Sequence, residues 1–165
     1  MVRWRKAKRN GRPFPKTLMG QFIRASALRL DADTIRPLAA ELRRTGEINS
    51  PVLIDVLFRI AVRRLFSTDY NIRRIGLFAE EVREAYGDAV NPRFIERLVR
   101  REVGQKVEID DIDHDAAVTA KTLTFMRIHD IVHADGHDTE RHLAAVIVEA
   151  ENELEKERNM KPPGR

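Results

Sequence analysis

The stretch HDIVHADGHDTERH, residues 129–142, holds four of the five histidines of the chain. Imidazole binds transition metals and titrates near neutral pH, so this cluster is the first candidate for chemistry. His129 and His133 are four residues apart, which puts them on one helix face within chelating reach of a single ion. His142 falls in the first turn of the following helix, and a hairpin through Ala134–Asp138 brings it near His133. The candidate metal ligands are therefore His129, His133 and His142. His137 sits in the turn, and Asp130, Asp135 and Asp138 can add oxygen ligands. A metal here would point to a metal-dependent hydrolase.

Three features weigh against that chemistry. HDIVH differs from the zincin pattern HExxH, because Asp130 stands where the glutamate base belongs and reaches less far toward a metal-bound water. The words HD and GHD resemble fragments of the HD-domain phosphohydrolases, and the resemblance implies a helical fold binding divalent metal through separated His, His-Asp and Asp residues. That family needs an upstream histidine on a helix folded back against the His-Asp pair. The upstream histidine here, His114, lies fifteen residues before His129. One helix rising ~1.5 Å per residue separates them by more than roughly 20 Å and leaves no room for a return, so the family is not assigned. Finally, Ala120, Leu123, Ile128, Ile131 and Val132 mark the apolar side of the helix, and His129 and His133 lie away from its centre, beside Thr122. The expectation is a capped helical hairpin with histidines in solvent or at a helix end, where imidazole meets loose carbonyls and a favourable dipole. No cofactor is expected.

Other acidic clusters carry less. EIDDIDHDAA, residues 108–117, resembles the start of an EF-hand loop, but counting from Asp111 the glycine position holds Ala116 and the bidentate glutamate position holds Thr122. Its aspartates are expected to cap the next helix and meet its amino-terminal dipole. Glu80, Glu81 and Glu84 lie on an outer helix face beside Arg83. There is no Gly-rich phosphate loop and no recognisable nucleophile motif. The chain reads as non-enzymatic.

The basic residues say more. Residues 1–16, MVRWRKAKRNGRPFPK, carry seven Lys or Arg and no acid; taking these from the net +4 leaves −3 for the rest. Arg3, Arg5, Lys6, Lys8, Arg9, Arg12 and Lys16 suit phosphate contact, and Trp4 and Phe14 can stack or wedge. Pro13 and Pro15 disfavour helix, so a flexible basic arm is expected over 1–16. A second basic feature is NPRFIERLVRREVG. There Phe94, Ile95, Leu98 and Val99 face inward, while Arg93, Arg97, Arg100 and Arg101 gather opposite. An arginine-faced helix can lie along phosphates, and internal pairing with the acidic 108–115 segment is the competing explanation.

These features must be positioned by helices. Leu18, Met19, Phe22, Ile23, Ser26 and Leu30 recur at spacings of three and four. A second helix is expected from Asp33 or Thr34 to Gly46, with Pro37 in its first turn. Asn49 or Ser50 is expected to cap a third, with Pro51 at its first position and a solvent edge of Asp55, Arg59 and Arg63. A fourth, about 71–86, should bury Ile72, Ile75, Phe78, Ala79, Val82 and Tyr86 before stopping at Gly87. Asn91-Pro92 opens a fifth, to about Val103. A sixth follows over about 115–134 and a seventh over about 139–158. KVEI at 106–109 is too short for a sheet.

The expectation is an all-α fold: a single compact bundle of about six to seven helices over 17–158, with a disordered tail over 159–165. A chain of 165 residues buries about 70% of its unfolded surface and needs neither disulfide nor structural metal. It has no cysteine, which removes thiol chemistry and suits a reducing cytoplasm. Its longest apolar stretch is broken by Asp55, Arg59, Arg63 and Arg64, so no integral membrane association is expected. The leading functional expectation is a cytoplasmic binding protein contacting DNA or RNA through the arm and the arginine-faced helix. The alternatives are a scaffold or assembly protein, binding another protein or itself as a homo-oligomer, the hydrolase above, and an arm that binds anionic membrane.

Overall fold

The computed structural model describes residues 11–47, 51–66, 70–132 and 138–160. Seven α-helices follow in order: α1 (Leu18–Ala27), α2 (Ala32–Thr45), α3 (Val52–Leu65), α4 (Ile72–Tyr86), α5 (Pro92–Glu102), α6 (His114–Val132) and α7 (Thr139–Met160). No β-strand forms among the described residues, and KVEI is irregular. The all-α expectation holds. Packing gathers the helices into two compact units, one containing α1, α2 and α7, the other α3 to α6. Among the described residues no helix is long and apolar enough to cross a membrane.

In the first unit α1 packs against both α2 and α7. The α7 stripe is Leu143, Ala144, Ile147, Ala150 and Glu151, at the spacings of one helix face. Ile23 and Ala25 of α1 and Leu38 and Leu42 of α2 are also buried. Asp31 caps α2 by accepting from the Thr34 amide at 2.9 Å, and Gly46 ends it in the left-handed conformation with φ 76°. This cap starts the helix earlier than expected and leaves Pro37 as an interior residue. The amide that proline lacks would have met the carbonyl of Asp33, an exposed residue open to water.

In the second unit α3 is the central element and packs on α5 and α6. Leu53, Ile54, Val56, Leu57, Phe58, Ile60, Ala61 and Val62 are buried, and Asp55, Arg59 and Arg63 form its wetter edge. Truncating Leu57, fully buried, to alanine should cost about 2–5 kcal/mol. Pro51 takes helical angles directly before Val52. The expected caps Asn49 and Ser50 lie outside the described residues. Asn71 and Asn91 cap α4 and α5, and Asp113 caps α6 by accepting from the Asp115 and Ala116 amides at 3.1 and 3.2 Å.

Several expectations need correction. Ile72 is 50% exposed, because it is the first residue of α4 and precedes the turn that meets the core. Tyr86, at the other end, is half-buried. On α6 the buried face is Ala120, Thr124, Phe125, Ile128 and His129. Val132 is instead 55% exposed. The apolar residues of α6 spread round most of its circumference, so its neighbours α3, α4 and α5 choose the inward face. Asn159 and Met160, placed in the expected tail, are the last residues of α7.

Candidate nucleic-acid interface

The base of the basic arm is held by the first unit. Pro15 is fully buried. The Glu151 carboxylate accepts from the Lys16 amide at 2.8 Å, the Thr17 amide at 2.8 Å and the Thr17 hydroxyl at 2.6 Å. Thr17 in turn caps α1, its Oγ1 accepting from the Gly20 amide at 3.0 Å. The carboxylate thus sits at the amino end of α1, where unpaired amides and the helix dipole favour a negative charge. Gly20 is required by this approach. A Cβ there would lie 2.3 Å from Glu151 Oε1 and 2.9 Å from Ile147 Cγ2.

Lys16 is therefore not part of a free arm. Its ammonium donates to Asn152 Oδ1 at 2.7 Å and lies 4.0 Å from Glu155. The Phe14 ring carries the Arg24 guanidinium 5.2 Å from its centroid, and Arg24 pairs with Glu140. At the end of the expected arm, Phe14, Pro15 and Lys16 are tied to the helices. Arg12 is exposed. Arg3, Trp4, Arg5, Lys6, Lys8 and Arg9 lie outside the described residues.

The arginines of α5 divide into two pairs. Arg97 donates to Asp111 through a two-point contact, 3.1 Å at Oδ2, and its Nε donates to the Glu108 carbonyl at 2.9 Å. The hydrogen bond from the guanidinium holds the Asp111 carboxyl below the usual carboxylate range, and the carboxylate holds Arg97 above the usual arginine value. Arg100 donates to Gln105 Oε1 at 2.7 Å and to Glu96 at 3.3 Å. Arg93 and Arg101 are exposed and pair with no described residue. A phosphate approaching Arg97 must displace Asp111 and face its negative charge, so the internal pairing accounts for half of the arginine face.

Among the described residues the histidines His114, His129 and His142 do not form a three-ligand metal group. His129 is 7% exposed on the inward face of α6, a correction to its expected outward position. His142 is exposed in the first turn of α7, while His133 and His137 lie outside the described residues. His114 and His129 occupy the single helix α6, as the spacing required. No group of three His, Asp or Glu side chains placed to hold a metal is found among the described residues.

The residue that sequence reasoning missed is Glu151. Its signal was present: Glu151 follows Ile147 by four and Leu143 by eight, on the apolar stripe of α7, where a carboxylate requires donors. No known protein family, curated protein or solved structure matches this chain.

Proposed function

We propose that the chain is a non-enzymatic, cytoplasmic nucleic-acid-binding protein whose contact is made by the basic segment ahead of Pro13. The observation that supports this is a dense cation run attached to a fixed base. Residues 1–12 carry six Lys or Arg and no acid, and the chain just after them is fastened to α7 through Glu151. A tethered cationic segment gains affinity by releasing counterions from phosphate, with little demand on sequence. Arg12, the last of the six, is exposed, and Arg93 and Arg101 of α5 offer further exposed cations.

The test is a salt series of oligonucleotide binding on the full chain and on a chain starting at Gly11. Each phosphate neutralised contributes a log–log slope of about −0.9 on duplex DNA and about −0.7 on single strands. The shortened chain should lose several units of slope while keeping helicity. Equal slopes would remove the arm from the interface, and no binding at low salt would end the nucleic-acid reading. Self-association would then lead, a reading favoured by Ile72 and Leu77 of α4, which are 50% and 58% exposed. Sedimentation over a range of concentrations would measure it.

A further inference from the structure

We infer that α7 carries a docking groove for the chain's own residues 1–10. A surface groove of about 550 Å³ runs between Pro13 and the outer side of α7, lined by Ala145, Val148, Glu149, Asn152 and Glu153. Its floor is apolar at Pro13, Ala145 and Val148, and Glu149 and Glu153 supply negative charge. Among the described residues, Lys156 also lines it. Glu157 continues the acidic row beyond, so Glu149, Glu153 and Glu157 recur every four residues along the helix.

That composition matches one segment of this chain. MVRWRKAKRN carries five Lys or Arg, no acid and the sole tryptophan, Trp4. Residues four apart on a helix are ~6 Å apart along its axis. Alternate residues of an extended strand are ~6.6 Å apart. An extended segment placing Lys6 and Lys8, or Arg3 and Arg5, on one side therefore meets the glutamate row nearly in step. Trp4 would cover the apolar floor. The attachment is also local, because Pro13 is itself a wall of the groove. Ten extended residues reach roughly 33 Å, and the helix from Ala145 to Glu157 rises only about 18 Å. Gly11, with φ 64°, allows the chain to reverse beside Arg12. Docking there would hold cations that phosphate would otherwise engage. The inference concerns the protein alone and is tested without nucleic acid, so the two readings stand or fall separately.

Trp4 reports the docking without a label. In the full chain at low salt its acrylamide quenching constant should be several-fold below that of a free peptide of residues 1–16. It should rise toward the peptide value in about 1 M NaCl, where the Debye length is ~3 Å. Glu149→Lys with Glu153→Lys should expose Trp4 at low salt with helicity unchanged. Quenching equal to the peptide in the unmodified chain would overturn the docking. Shielding that survives the double substitution would move Trp4 to another surface and overturn the groove. Shielding that grows with protein concentration would assign the groove to the arm of a second copy and overturn the intramolecular contact. Should the variant fail to fold, the salt series on the unmodified chain still decides: shielding that persists undiminished in 1 M NaCl would overturn the charge pairing.

Discussion

Glu151 and Thr17 lie 134 residues apart and are joined twice, through the Thr17 amide at 2.8 Å and its hydroxyl at 2.6 Å. One carboxylate on α7 thereby holds the residue that starts α1. The same contact fixes the point from which the cationic segment leaves the helices.

Replacing Glu151 with alanine leaves the part-buried Lys16 and Thr17 amides without their acceptor. Removing a charged acceptor from such donors costs about 1–3 kcal/mol. In a chain of this size each kcal/mol lowers Tm by roughly 2–4 °C. Glu153→Ala, on the same helix but lining the open groove, should change stability by less than about 0.5 kcal/mol. Thermal melts followed by circular dichroism compare the two, and equal shifts would show that Glu151 is not the anchor.

Two helical glycines should respond to alanine with opposite signs. Gly76 in α4 has open space around its missing Cβ, so Gly76→Ala should stabilise by about 1 kcal/mol through helix propensity. Gly20→Ala gains the same propensity but drives a methyl into Glu151, Ile147 and Pro15, the last at 3.0 Å from the Cβ position. Overpacking of this kind costs about 1–3 kcal/mol and should win. Urea unfolding of both variants decides it; a stabilised Gly20→Ala chain would mean that the contact yields without cost.

Acid should release two carboxylates at different partners. The Thr34 amide holds Asp31 below the usual carboxylate range, and the Arg97 side chain does the same for Asp111. Both folded values are depressed. Their stabilisation is therefore present above the unfolded value and is lost as pH falls through the folded one. Carboxyl-carbon NMR titration should show both midpoints low in the unmodified chain. Arg97→Gln should return Asp111 to the ordinary range and leave Asp31 unmoved. An unchanged Asp111 midpoint would show that its pairing with Arg97 does not persist in solution.

Local chemistry made much of this fold legible. Asn71, Asn91 and Asp113 cap helices where short polar side chains precede apolar periodicity, and Gly46 and Gly87 end helices at positive φ. The central character of α3 followed from apolar coverage broken by a single charged edge. These features involve residues within a few positions of one another, so the sequence by itself determined them. It also determined where the positive charge is concentrated.

Tertiary structure decided the rest, because it depends on partners far along the chain. Which side of α6 faces inward was set by α3, α4 and α5, and that buried His129 and exposed Val132. Pairing with Asp111 and Glu108 took Arg97 out of the basic face, whereas Arg93, on the same helix, stayed exposed. The end of the arm was decided by Glu151, whose three donors belong to Lys16 and Thr17. Helical periodicity marks which positions are able to face a core. The energetic choice among them, and the choice of partner for each charge, is made only when distant segments meet.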